Sequence, residues 1–421
     1  MPTPVPIALQ WLAAAIFALA LIHSFSTRHF EQLARKHPRY AGLWHLLGEV
    51  EVVFGLWASI LMAMSFMLIG QNQTLTYLES RNFTEPLFVF AVMVIAGTRP
   101  VLTLANRLVV RLASLWPGPQ SMPTYILVMA LLPLLGSFIT EPAAMTLGAL
   151  LLRDTLFAQA VSERLKYATL GALFVNVSIG GTLTPFAAPP VLMVAHVWQW
   201  DFAFMLQTFG WKAALAVLVN ALGASWLFRR ELTALPQAPA PQGASVPAGI
   251  MGMHLLFLGG VVFFAHHPVV FIGLMLLFLG FVTAWREHQS PLILREALLV
   301  SFFLAGLVVL GGLQQWWLEP LLLGLPADAV FYGAMLLTAI TDNAAITYLG
   351  SLVPGLSADF KVALVAGAVT GGGLTLIANA PNPAGAAILK GYFPDSNIAP
   401  LKLLLAAIPP TVVAALAFRW L

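Results

Sequence analysis

Cysteine is absent from all 421 residues. That excludes disulfides, thiolate metal sites and cysteine nucleophiles. Charge is scarce as well: Asp, Glu, Lys and Arg together make up 9% of the chain, against roughly 25% in a soluble domain. Strands of alternating apolar and polar residues are missing, which argues against a membrane β-barrel. No phosphate-binding Walker loop, Ser–His–Asp order or His-rich metal spacing occurs, so an ATP-driven pump or an intramembrane hydrolase lacks its signature. The N-terminus shows neither the charged n-region nor the small-residue cleavage site of a removed signal, so the first apolar span is expected to be retained.

What the chain has instead is apolar length. Hydrophobic residues make up 60% and the mean hydropathy is +0.88. Apolar stretches of about 20 residues recur, each long enough as a helix for a ~30 Å hydrocarbon core. The chain reads as an all-α polytopic membrane protein. The formal charge of +3 sits mostly in loops, where it sets topology, and no nucleic-acid partner is expected. The expected partners are the lipid bilayer and small inorganic ions, with no cofactor.

The spans drawn from hydropathy are 6–25, 45–70, 86–106, 124–152, 167–195 and 204–228, then 248–265, 269–285, 297–316, 321–352, 361–389 and 400–418. Between the two sets lies "RRELTALPQAPAPQGASVP" at 229–247, a Pro-, Ala- and Gln-rich linker by composition. Residues 1–228 and 248–421 thus read as two repeats.

Two pairs of phrases support duplication. "ITEPAAMT" (139–146) is echoed by "ITDNAAIT" (340–347), and "GGTLTPFAAPP" (180–190) by "GGGLTLIANAPNPAG" (371–385). Glu141 precedes Thr184, and Asp342 precedes Thr375, in the same order. If each acidic segment is a re-entrant hairpin and the loop 26–44 is cytoplasmic, the basic residues sort cleanly. Arg28, Arg35, Lys36, Arg39, Arg107, Arg111, Arg153, Arg164, Lys166, Arg229, Arg230, Arg286, Arg295, Lys390 and Lys402 all fall inside, as the positive-inside rule asks. Both termini then lie outside and the halves have opposite topology, an inverted repeat of the secondary-transporter kind. The expected fold has about ten spanning helices, two re-entrant hairpins (124–152 and 321–352) and two broken helices (167–195 and 361–389).

Thr140, Thr341, Asp342 and Asn343 are good helix N-caps, and capping alone is one reading of both acids. A second reading rests on energy. A neutral oxygen suffices for a cap, whereas a carboxylate at the bilayer centre costs about 3 kcal/mol on insertion scales. An acid at the matched position of both halves therefore points to a substrate. The Gly/Pro runs are either close helix packing through small residues or breaks whose carbonyls and hydroxyls suit a hard cation such as sodium. Thr182, Thr184, Thr375, Asn379 and Asn382 are the side-chain oxygens there.

The twice-given order of hairpin tip and broken helix resembles the ion transporter superfamily, which includes sodium/proton antiporters, arsenite permeases and dicarboxylate transporters. Within it, "HLLGEVEVVFGLWA" (45–58), "TDNAAITYLGSL" (341–352) and "TLIANAPNPAG" (375–385) resemble the bacterial putative sodium/proton antiporter family. The resemblance covers nearly the whole chain. It implies a scaffold part, a moving transport part and a homodimer in the bacterial inner membrane. Dicarboxylate members carry Ser-Asn-Thr at the tips; the Thr-Glu-Pro and Thr-Asp-Asn here would set an anion against two acids.

The expected activity is exchange of sodium or lithium for protons. Burial favours a protonated carboxyl and a bound cation favours the carboxylate, so the two compete for one site. Asp342 is the expected main carrier with Glu141 its partner, and Asp342, Asn343, Thr184 and Asn379 the expected sodium ligands. Glu49, Glu51 and Arg99 form either a proton relay or a structural pair. Asn176 is either a ligand-shell residue or an interhelical hydrogen bonder. An anion or oxyanion carrier of the same superfamily, and a non-transporting scaffold or intramembrane enzyme, are the other readings.

Overall fold

The structure is a computed structural model that describes residues 6–117, 120–236 and 246–421. Every regular element among the described residues is helical. In chain order the principal helices are α1 (Ile7–Phe25), α2 (Val50–Ile69), α3 (Thr84–Ala96), α4 (Arg99–Ala113), α5 (Ser121–Ile139), α6 (Glu141–Leu152), α7 (Glu163–Gly180), α8 (Pro189–Ala195) and α9 (Trp211–Leu227). There follow α10 (Ala248–Phe263), α11 (Pro268–Ala284), α12 (Leu294–Gly311), α13 (Ala327–Thr338), α14 (Asn343–Ser351), α15 (Ala358–Gly371), α16 (Asn382–Leu389) and α17 (Pro400–Trp420). Among the described residues six stretches are long and apolar enough to cross a membrane, or seven if α3 and α4 count as one bent span. Helices α10, α11 and α13 are apolar but shorter.

Several spans differ from the hydropathy reading for local reasons. The 86–106 stretch is two helices bent by 65°. Gly97 and Thr98 leave the helix, and Arg99–Pro100 start a new one with proline in its first turn, the position a helix tolerates best. Arg99 is thus the first residue of α4 rather than a mid-span charge. The 45–70 stretch is interrupted at Glu49, whose φ of −82° and ψ of 116° end a short helix, Ala41–Gly48, before α2 begins. The linker begins in a helix. Arg229–Thr233 is a helical turn with Leu232 buried, and Glu231 accepts hydrogen bonds from the Ser162 amide and hydroxyl, both 2.9 Å. Residues 237–245 of that linker lie outside the described residues.

The chain forms two compact units, and each draws on both halves of the sequence. One comprises Met1–Phe90, Leu294–Leu325 and Tyr348–Ser357; the other comprises Ala91–Ile293, Pro326–Thr347 and Ala358–Leu421.

In the first unit, α1, α2 and α12 pack around Phe54. Its ring meets Phe17 at 6.0 Å and Phe303 at 5.1 Å, both edge-on, the geometry that aromatic quadrupoles favour. Helices α2 and α12 touch backbone to backbone. A Cβ placed on Gly306 would lie 2.3 Å from the Gly55 nitrogen. Small residues allow this approach where lipid offers no hydrophobic drive between helices.

In the second unit, α7 is buried along nearly its whole length, and its buried polar side chains Thr169, Asn176 and Ser178 are hydrogen-bonded. Its start is capped by Ser162, whose hydroxyl accepts from the Leu165 amide at 3.2 Å. One polar network ties four helices together. The Asn176 amide donates to the carbonyls of Met129 (2.8 Å) and Val217 (3.4 Å), and the Asn220 amide donates to Asn176 Oδ1 (2.9 Å) and to the Pro410 carbonyl (3.3 Å). Asn176 is therefore an interhelical tie joining α5, α7, α9 and α17. Removing it strands buried donors and acceptors at about 1–3 kcal/mol each. Asn176→Ala is expected to lower the thermal midpoint of the purified protein by several degrees. An unchanged midpoint would show that the network carries no stability.

Candidate functional site

The site lies in the second unit, where two helix breaks face two Gly/Pro breaks. The first helix break is a single residue. Thr140 separates α5 from α6 at φ 75° and ψ 150°, a backbone region used almost only by glycine and costing about 1–3 kcal/mol. Such strain persists where packing over-determines the local geometry. The Thr140 hydroxyl is buried without a hydrogen-bond partner, so it does not offset the strain. Thr140→Gly is expected to raise stability by about 1 kcal/mol, roughly 2 °C in a protein of this size. A lower midpoint would mean that the threonine methyl packs better than the backbone suffers.

Glu141 follows directly and is 0% exposed. One carboxylate oxygen accepts from the Asn379 amide at 2.9 Å, while the other has no partner. Room for this side chain comes from Gly181 in the first Gly/Pro break. A Cβ there would stand 2.5 Å from Glu141 Oε1. The first-half acid is thus held by a second-half asparagine 238 positions later.

The second helix break behaves differently. Asp342 Oδ1 accepts from the backbone amides of Ala344 (2.8 Å) and Ala345 (3.4 Å), which caps α14. Its charge is thereby met by two backbone donors at a helix N-terminus, which itself favours an anion. Asn343 comes next. Its backbone N–H donates to the Ala378 carbonyl at 3.1 Å, and its side-chain amide is fully buried with neither oxygen nor nitrogen partnered.

The threonines of the two Gly/Pro breaks do matched structural work. The Thr184 hydroxyl donates to the Ser137 carbonyl (2.6 Å), and the Thr375 hydroxyl donates to the Ala339 carbonyl (2.8 Å). Each pins its break to the C-terminal end of the preceding helix, α5 or α13. Thr182, in the turn just after α7, only donates its hydroxyl back to the Ile179 carbonyl at 2.7 Å. Thr341 is half-buried and its amide bonds back to Leu337 at 2.9 Å. Asn382 staples the second break by donating to the carbonyls of Gly372 and Thr375, each 2.8 Å, and leaves its own oxygen unpartnered. Asn379 Oδ1 is also unpartnered. The four expected sodium ligands therefore divide: Asn343 and Asn379 have free oxygens, whereas Asp342 and the Thr184 hydroxyl are engaged in local bonds.

The two broken helices cross at glycine. A Cβ on Gly372 would lie 2.1 Å from Ser178 Oγ and 2.9 Å from the Asn343 amide, and one on Gly373 would lie 2.4 Å from the Val175 backbone. Ser178 donates to the Val369 carbonyl at 2.7 Å.

Sequence reasoning missed Ser178, Asn220, Thr338 and above all Ser137. The Ser137 hydroxyl donates to the Gly180 carbonyl (2.7 Å) and accepts from the Leu183 amide (2.9 Å). It stitches α5 to the first break. The available signal was a lone polar residue one turn before Glu141.

Of the other candidates, Glu49 is ion-paired with Arg295, a partner outside the expected Glu49–Glu51–Arg99 group. Glu51 is half-buried in the first turn of α2. Among the described residues no cluster of three His, Asp or Glu side chains has metal-binding geometry. What the site offers a cation is one buried carboxylate oxygen and a set of neutral amide and hydroxyl oxygens without partners.

No functionally curated protein matches the chain. Residues 8–421 match the family described as putative Na+/H+ antiporter. Its apolar helices and that match make the chain a multi-pass membrane transport protein, and it belongs to the putative Na+/H+ antiporter family.

Proposed function

We propose that the protein is a secondary active transporter that exchanges sodium or lithium ions for protons, with cation and proton competing for Glu141. The observation that carries this reading is the fully buried Glu141 carboxylate with one oxygen on Asn379 and the other open. A carboxylate out of water needs a proton or a cation. Glu141 takes the carrier role expected of Asp342 because Asp342 already has two backbone donors. Asp342 then serves as the second charge of the site. The Asn343, Asn379 and Asn382 oxygens supply neutral ligands of the kind hard cations prefer, and we read the strained backbone at Thr140 as the point that moves when the site alternates.

The wider architecture belongs to the same proposal. Each half has a helix pair meeting at an acidic phrase, a helix pair interrupted by Gly and Pro, and a long final helix: α5–α9 in one, α13–α17 in the other. We read these as inverted repeats, with about ten spans, re-entrant hairpins at the acidic phrases, an inner-membrane location, external termini and a homodimer. Everted membrane vesicles test the activity. Sodium added to acidified vesicles is expected to release protons in a protein-dependent way. Vesicles that take up a labelled oxyanion but release no protons on sodium addition would overturn the reading.

A further inference from the structure

The first compact unit carries an apolar groove that the exchange reaction does not use. Its volume is about 450 Å³, within the range of ligand pockets. Gly55, Ala58, Ala305 and Gly306 form part of its lining, beside the larger Met62 and Phe302. The groove exists because α2 and α12 cross at the two glycines while larger residues stand on either side. Its only hydroxyl, on Ser59, is already donated to the Gly55 carbonyl at 2.9 Å. Nothing polar is offered along its length. From Gly55 to Phe66 the α2 lining spans 11 residues, roughly 16 Å at the helical rise. That is about the depth of one leaflet.

A charged residue, Arg81, stands beside one end of the groove without lining it. Leu78, Phe83 and Val309 line it there, and Arg81 lies between the first two in sequence. The Arg81 guanidinium stacks over the Tyr77 ring, 4.7 Å from its centroid, and the Tyr77 hydroxyl donates to the Val309 carbonyl. Gly312, one turn past Val309, leaves space for the guanidinium. A Cβ there would lie 2.5 Å from Arg81 Nη1. Arg81 gives two of its five N–H groups to the Ser80 hydroxyl, at 3.3 and 3.0 Å. The next acid along the chain, Glu85, accepts from the Asn82 amide at 3.2 Å.

We propose that this groove seats one acyl chain of an anionic membrane phospholipid, with the lipid phosphate on the Arg81 guanidinium. A dry slot of leaflet depth selects a hydrocarbon chain, and a guanidinium at its mouth selects phosphate through its fork of donors. The groove is built wholly from residues of the first unit, and its test does not depend on the exchange reading.

The test is native mass spectrometry of the purified protein titrated with phosphatidylglycerol or phosphatidylcholine of equal chain length. Phosphatidylglycerol is expected to be retained roughly five-fold better, the preference that one basic residue confers on an anionic headgroup. Arg81→Gln should remove the preference and keep retention of both lipids at the phosphatidylcholine level. Ala305→Leu should fill the groove and lower retention of both; Ala58→Leu does the same from the other wall if the first variant folds poorly. Inorganic phosphate should not displace the lipid, because the acyl chain supplies the affinity. Equal retention of the two lipids, a preference that survives Arg81→Gln, retention unchanged by groove filling, or displacement by phosphate would each overturn the proposal. So would a disulfide-linked dimer formed through Ser59→Cys in this cysteine-free chain, since a second copy would then occupy the groove.

Discussion

Glu141→Gln is expected to reduce sodium-driven proton release to the level of vesicles lacking the protein, while leaving folding intact. Glutamine keeps the length of the side chain and an oxygen for the Asn379 amide, which now holds Glu141 Oε2 at 2.9 Å. The Gly181 recess that accommodates Glu141 also accommodates its isostere. What disappears is the charge, and an amide neither titrates near neutral pH nor balances a cation. Asp342→Asn should behave otherwise. Asparagine caps a helix about as well as aspartate, so the bonds to Ala344 and Ala345 survive. Exchange should persist with weaker apparent sodium affinity, because one negative charge has left the neighbourhood of the other. Paired vesicle titrations across pH and sodium concentration measure both variants. Equal loss in both would make the acids a joint carrier. Normal exchange in Glu141→Gln with loss in Asp342→Asn would assign the carrier role to Asp342.

Gly373→Ala is expected to be strongly destabilising. The added Cβ would lie 2.4 Å from the nitrogen and Cα of Val175. Backbone cannot move aside as a flexible side chain can, so α7 and α15 must separate where the two halves cross. Overpacking of this kind costs about 1–3 kcal/mol in soluble cores and occasionally more. A backbone collision belongs at the upper end. Fluorescence-detected size-exclusion chromatography should show loss of the monodisperse peak or a midpoint lowered by many degrees. Gly223→Ala is the control. That position in α9 has nothing within 4 Å of the added atom, and alanine is the better helix former by about 1 kcal/mol. A folded, fully active Gly373→Ala would show that the crossing tolerates a shift and would remove the glycine's assigned role.

Some of this protein follows from the order of its residues alone. Low charge and recurrent apolar runs dictate a helical membrane chain, because backbone in lipid must satisfy its own hydrogen bonds. The repeated acidic and Gly/Pro phrases mark the helix breaks, and breaks occur at Thr140, at 339–342 and after Gly180 and Gly371. Pattern also suffices to single out Glu141, Asn343, Asn379 and Asn382 as polar groups in costly places.

Which acid is spoken for was not legible. Asp342 has a short arm that reaches its own amides two and three positions on, a local bond that sequence could suggest but not weigh against ligand binding. The partner that distinguishes Glu141 comes from Asn379 in the other half, brought near only by the crossing of α7 and α15. Nor did hydropathy foresee the bend at Gly97–Thr98, since glycine and proline are tolerated inside helices as well as between them. The grouping of first-half and second-half helices into common units was decided by packing, because a Gly55–Gly306 contact spans 251 positions and leaves no trace in local composition. Composition and periodicity act over a few turns of chain. The placement of a carboxylate oxygen depends on atoms that only the folded structure makes neighbours.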